Sequence, residues 1–221
     1  MNSKGEERDH NLKIRPKIAI VNYGVGNLRS VKKGLEKAGA VSFIIDNIVE
    51  AFSADAVVLP GVGAFKSAME ALAPHLDIVK KGASNRIPLL GICLGMQVFF
   101  SRSEEGGTTA GLNIIPGKVA QLPRTVKIPH MGWNAIKIRQ ESPLTRGLAS
   151  NVYVYFVHSY YAVPFDSETV SATTEYGIEF PSIISSDHIF GTQFHPEKSG
   201  RTGLTILRNF VQVARGLGDE A

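Results

Sequence analysis

Between Lys17 and Phe100, short apolar runs rich in β-branched residues alternate with stretches of helical spacing. Ile18-Ala19-Ile20-Val21 is bounded by Asn22-Tyr23-Gly24 and reads as a buried strand. Leu28, Val31 and Leu35 then recur at amphipathic helix spacing, with Gly39 where a C-cap belongs. Val41–Ile45, Ala56–Leu59 and residues 87–90 give three more strands, the second stopped by Pro60-Gly61. Residues 65 to about 72, before a break at Pro74, and residues 94–100 give further helices. Strands alternating with helices dictate βαβ units and a parallel sheet covered on both faces.

The texture changes after Ser101. A polar, glycine-rich loop covers residues 103–111. Strand candidates then follow without long helices between them, at 133–138, 152–157, 169–174, 182–185 and 189–194. Such a run predicts meanders and hairpins, some antiparallel, with Ser186-Asp187 before His188 as a turn. Residues 202–214, apolar at Leu204, Leu207, Phe210 and Val211, predict a closing helix. The expected fold is one α/β domain over residues 16–221, a mixed sheet with helices on both faces and added antiparallel strands. A polar leader over residues 1–15 lacks the apolar core of a signal peptide and is expected to be disordered.

Composition narrows the function. With 43% hydrophobic and 20% charged residues the 221-residue chain has globular proportions. The net charge of +4 is scattered, without a basic run of the kind that binds nucleic acid. No apolar stretch is long enough to span a membrane. A single cysteine excludes an intramolecular disulfide and a thiolate zinc site, and fits a reducing, cytoplasmic setting.

That cysteine has pointed surroundings. Gly91-Ile92-Cys93-Leu94-Gly95 has the form G-x-C-x-G between a predicted strand and a predicted helix, the thiol counterpart of a nucleophile elbow. The flanking positions need glycine because backbone crowds a turn this sharp. The Leu94 N–H is a natural oxyanion donor. A buried core cysteine beside a cap glycine is the plainer alternative. The nucleophile needs a base, and of six histidines His195 has the telling neighbour. His195 and Glu197 lie two apart at a predicted strand end, so period two puts them on one face, the carboxylate orienting the imidazole. Pro60-Gly61-Val62-Gly63 ends the third strand, where ligand loops of parallel sheets lie, and Val62 or Gly63 offers a second oxyanion N–H. Gly24-Val25-Gly26, with Asp46 about 20 residues on, hints at a dinucleotide site, but Arg29 stands where the third glycine belongs. No P-loop or HExxH spacing occurs, and no cofactor or metal is expected.

Gly91-Ile92-Cys93-Leu94-Gly95-Met96-Gln97 with Gln193-Phe194-His195-Pro196-Glu197 resembles the class I glutamine amidotransferases. Residues 22–28, 60–65, 129–134, 155–160 and 195–199 look more narrowly like the glutaminase subunits of imidazole glycerol phosphate synthases. The resemblance implies a flavodoxin-like mixed sheet and hydrolysis of L-glutamine by a Cys93–His195–Glu197 triad. It further implies Val62, Gly63 and Leu94 as the oxyanion hole and Gln97 as a substrate ligand. The ammonia would pass to a cyclase subunit with a (β/α)₈ barrel, in a heterodimer of histidine biosynthesis. Asn22, Asn27, Trp133, Tyr155 and Lys198 would face that partner. The sequence departs from the usual family pattern at Asn22 and at Lys66-Ser67. The same triad would serve a glutaminase feeding an anthranilate or aminodeoxychorismate synthase; residues 22–28 and 130–134 discriminate. Trp133 and His158 have simpler readings as packed interior residues.

One thiol makes one test. Iodoacetamide should add a single adduct to the native protein, at Cys93, and none to Cys93→Ala, as read by intact-mass spectrometry.

Overall fold

The computed structural model describes residues 15–24 and 26–216. The chain begins with β1 (Lys17–Val21), α1 (Leu28–Ala38), β2 (Val41–Ile45), α2 (Ile48–Ala51) and β3 (Ala56–Leu59). It continues through α3 (Phe65–Leu72), α4 (Leu76–Ser84), β4 (Leu89–Ile92) and α5 (Leu94–Gln97). Then come β5 (Phe100–Ser103), β6 (Thr109–Ala110), β7 (Ile115–Gln121), β8 (His130–Ile138), β9 (Val152–His158) and β10 (Tyr160–Pro164). β11 (Val170–Glu175), β12 (Glu179–Ser186), β13 (Ile189–Thr192) and α6 (Gly200–Ala214) close it.

The main sheet has nine strands in the order β2-β1-β3-β4-β13-β12-β11-β8-β9. From β2 to β13 every pairing is parallel; from β13 onward every pairing is antiparallel. Inside the β2 edge, strands β1, β3, β4 and β13 are buried on both faces, and their side chains alternate between two cores. Ile18, Ile20, Val58 and Ile92 meet Val31 and Leu35 of α1 and Leu207 and Phe210 of α6. Ala19, Val21, Val57 and Leu59 meet Phe65 and Leu72 of α3 and Val79 of α4. The expected mixed sheet with helices on both faces is therefore present. α1 covers its expected residues, and Gly39 caps it at φ 106°.

Several expectations are corrected. The added strands do not all join one sheet: β10-β7-β5-β6 form a second sheet, whose Phe100, Val119 and Ala162 complete the core beside α3. The helix after Cys93 stops at Gln97, and the apolar run Val98-Phe99-Phe100 enters β5 instead. The fourth strand lies two residues later than expected, at Leu89–Ile92, because its register is set by pairing with β3 and β13. The last strand ends at Thr192, so His195 and Glu197 are not on a strand; Pro196, with its fixed φ, starts a 3₁₀ turn over Pro196–Lys198. Residues 1–14 of the expected leader and Val25 of the glycine loop lie outside the described residues. Arg15 already belongs to the domain, its Nε donating to the Gly39 carbonyl at 3.3 Å. Among the described residues no helix is long and apolar enough to cross a membrane.

The parallel topology gathers four loops at the carboxyl ends of β1, β3, β4 and β13. The turn after β4 is tied down by its glycines. A Cβ at Gly95 would lie 1.7 Å from the Leu59 carbonyl oxygen, and one at Gly91 would lie 2.5 Å from the Met96 nitrogen. Gly95→Ala must displace β3 and should cost more than the ~1–3 kcal/mol typical of overpacking. Gly106→Ala, where a Cβ meets nothing within 4 Å, should cost only about 1 kcal/mol through its positive φ. Thermal melts of the two variants check the order.

Candidate active site

Cys93 sits on the sharp turn between β4 and α5 with φ 54° and ψ −107°, a strained backbone for a residue with a Cβ. Its N–H donates to the Thr192 carbonyl at 2.7 Å, tying the turn to β13. The thiol lies 3.8 Å from the Val157 carbonyl, and Gln193 Nε2 donates to Sγ at 3.6 Å. α5 is four residues long, too short for its dipole to act strongly on the thiol. The nearby countercharge is His195.

The Nδ1 of His195 bonds Glu197 Oε1 at 2.9 Å, with both side chains buried. Nε2 is buried and meets no hydrogen-bond partner among the described residues, so Cys93 acts on the ring through proximity rather than a well-formed hydrogen bond. Burial pulls the imidazole pKa down, but the approach of Cys93 and the bond and charge of Glu197 outweigh it and raise the pKa to about 9. Asn27, expected only at a partner surface, turns its Nδ2 inward to donate to Glu197 Oε1. It starts α1 at φ 74°, with no side-chain bond of its own to the helix.

The cavity in front of Cys93 holds about 270 Å³ and is lined by Val62, Gly63, Leu94, Gln97, Glu105 and the 157–160 segment. Two of these carry polar groups suited to an amino-acid ligand. Gln97 donates from Nε2 to the Tyr160 carbonyl at 2.8 Å and to Gln193 Oε1 at 3.1 Å. Glu105 accepts from the Phe65 N–H at 3.0 Å. Glu105 is a site residue that sequence reading missed; the one signal was a carboxylate pair inside a glycine-rich loop.

The expected oxyanion donors are not free together. The Leu94 N–H donates to the Gly61 carbonyl at 3.4 Å, so freeing that donor requires the Pro60–Gly63 loop to move. The loop is held from behind by Tyr23. Burial, and next the sulfur of Cys93, push its phenol pKa upward, and the hydroxyl donates to the Pro60 carbonyl.

Three of the expected partner-facing residues stand together. Trp133 and Tyr155 are cross-strand neighbours with ring centroids 6.1 Å apart, and Lys198 Nζ lies 5.8 Å above the Tyr155 ring. Trp133 is 57% exposed, so it is not the packed interior residue of the simpler reading, and Met131 and Tyr153 beside it are 63% and 62% exposed. Asn22 lies apart from this group in its bonding, donating to Asp46 Oδ1 at 2.7 Å.

A sharp strand-to-helix turn carrying a thiol, backed by a buried histidine–glutamate pair in a flavodoxin-like sheet, defines a class of enzyme. Residues 19–214 match the family model Glutamine amidotransferase class-I, and the chain belongs to that family. It is 50% identical over 200 residues to imidazole glycerol phosphate synthase subunit HisH of Methanosarcina acetivorans, covering 89% of this chain and 98% of that one. It is 48% identical to the subunit of the same name from Moorella thermoacetica, covering 93% and 99%. Among solved structures, PurLQS from Thermotoga maritima superposes with a TM-score of 0.71 at 17% identity, over 90% of this chain and 99% of that one, a likeness of fold.

The raised His195 value has a sign that can be tested. An imidazole protonated more readily in the fold than in the unfolded chain (about 6.5) adds stability that is complete below about pH 6.5. That stability is lost as pH rises through about 9. Glu197→Gln and Cys93→Ala should each lower the His195 titration midpoint, followed by imidazole proton NMR.

Proposed function

We propose that this chain hydrolyses L-glutamine to glutamate and ammonia and delivers the ammonia to the cyclase subunit of an imidazole glycerol phosphate synthase, in histidine biosynthesis. The observation that carries the reading is the thiol of Cys93 at a substrate-sized cavity with the His195–Glu197 pair behind it. Near-50% identity over most of the chain to subunits of that name supports the particular pathway.

The geometry supports the following chemistry. His195 takes the thiol proton, and Sγ attacks the side-chain amide carbon of glutamine. The tetrahedral oxyanion is stabilised by the Leu94 N–H and a peptide N–H at Val62 or Gly63, once the Pro60–Gly63 loop has moved. The imidazolium protonates the amide nitrogen; the C–N bond breaks, ammonia leaves and a thioester remains. His195 then takes a proton from water, whose oxygen attacks the thioester. The C–S bond breaks, glutamate leaves and the proton returns to sulfur. Glu197 holds Nδ1 so that Nε2 serves both steps, and Asn27 holds Glu197. Gln97 and Glu105 bind the amino-acid end of the substrate.

The partner has the (β/α)₈ barrel of a cyclase and forms a heterodimer with this chain through the Trp133–Tyr155–Lys198 face, extended by Met131 and Tyr153. Exposed aromatic residues beside a cation are the composition of an interface centre. The site operates in the cytoplasm. Docking on this face of the β8–β9 ladder would couple to the Pro60–Gly63 loop, so the lone chain turns over slowly.

Co-expression with the cyclase and assay with either nitrogen source test the proposal. Cys93→Ala should abolish glutamine-dependent cyclisation and leave ammonia-dependent cyclisation intact. Full glutamine-driven activity in that variant, or capture of a chorismate-binding protein in place of a cyclase, would overturn it.

A further inference from the structure

Two buried histidines lie beside the cavity and take no part in the reaction just described. His158 donates from Nδ1 to the Tyr160 carbonyl at 2.9 Å, which leaves its Nε2 as an acceptor. His130 Nδ1 lies 3.0 Å from that Nε2 and is therefore the donor. The remaining His130 nitrogen, Nε2, lies 3.3 Å from Asn134 Nδ2, again as acceptor. Each ring thus has one defined tautomer, and the relay runs in one direction, from Asn134 through His130 and His158 to the Tyr160 carbonyl. Burial first, and for His158 the neighbouring His130 and His195 as well, lowers the pKa values to about 4 and about 3, so both rings are neutral near pH 7.

The Tyr160 carbonyl accepts a second bond, from Gln97 Nε2 at 2.8 Å. The same nitrogen reaches Gln193 Oε1 at 3.1 Å. With its donor end committed to both, Gln97 has its carbonyl oxygen left for a ligand in the cavity, an acceptor matched to an ammonium group. We propose that His130 and His158 are positioning residues for glutamine: they hold the Tyr160 carbonyl where it fixes which end of the Gln97 amide meets the substrate. This rests on the glutaminase reading. His130 is clamped between Tyr176 and Phe156, with ring centroids 4.0 and 4.8 Å away. An aromatic replacement therefore keeps the packing and removes only the hydrogen bonds.

The test compares two thiol reagents on the full-length chain in complex with the cyclase subunit. Iodoacetamide reports the reactivity of Cys93 alone. The glutamine-mimicking diazoketone 6-diazo-5-oxo-L-norleucine must first bind as an amino acid, so its saturable labelling gives KI and kinact separately. His130→Phe and His158→Leu should each raise KI about tenfold, the scale of one lost buried hydrogen bond. Their kinact and iodoacetamide rates should stay within about threefold of the parent on the same reasoning. His158→Asn keeps a donor near the Nδ1 position and should bring KI back toward the parent. An unchanged KI in His130→Phe and His158→Leu, both with parent-like melting curves, would overturn the proposal. So would a parallel fall in iodoacetamide rate, which marks general disturbance of the site. If His130→Phe does not fold, the contrast between His158→Leu and His158→Asn decides. Failure of the diazoketone to label the unsubstituted chain in that complex, with iodoacetamide still labelling Cys93, would remove the glutaminase reading and this inference with it.

Discussion

Everything at this site hangs on the contact between the Cys93 turn and the end of β3. Gly95 lies directly against the Leu59 carbonyl, closer than any side chain allows, and Gly91 lies against the backbone of Gly95 and Met96. That contact forces Cys93 into a positive φ, and the strain is supported by the bond to Thr192 on β13. Three parallel strands are thereby locked around one thiol. The central sheet is more than a scaffold: its strand order brings β4 beside both β3 and β13, so the Cys93 turn, the Pro60–Gly63 loop and the His195–Glu197 turn descend from adjacent strands.

Around the thiol, polar groups are buried in bonded sets rather than singly. Glu197 is oriented by Asn27, a residue 170 positions away in sequence, and in turn orients His195. On the other side, Gln97 donates to Gln193, which in turn donates to the sulfur. Burying so many polar side chains is tolerable only because most find partners. The exceptions are informative. Among the described residues, His195 Nε2 and Glu197 Oε2 are buried without partners, and in the proposed reaction the first is the atom that exchanges protons with sulfur, amide and water.

Much of this was legible in the sequence, and the failures have physical causes. Period two and helical spacing gave the parallel half, down to the bounds of α1, because buried strands and amphipathic helices print their environment on the chain. Val98-Phe99-Phe100 was misread because an apolar run has no period of its own; only packing in the second sheet makes it a strand entry. β7 was missed because Pro116 and Gly117 near its start look like a break. The G-x-C-x-G and H-P-E spacings pointed to the sharp turn at Cys93 and to the bonded His195–Glu197 pair, since steric and hydrogen-bond demands there are local. The inward turn of Asn27, the contribution of Glu105 and the His130–His158 relay were not legible. Each depends on residues brought together by tertiary packing.

The bond between the Leu94 N–H and the Gly61 carbonyl is 3.4 Å long, against 2.7 Å for the neighbouring bond from Cys93 to Thr192. A bond so stretched contributes at the low end of about 0.5–1.5 kcal/mol. On its account alone, the arrangement with that amide released lies within thermal reach, at a population on the order of a tenth rather than a millionth. The elbow itself is rigid, while the donor beside it is nearly balanced between two occupants. Such a site is governed by small changes in population.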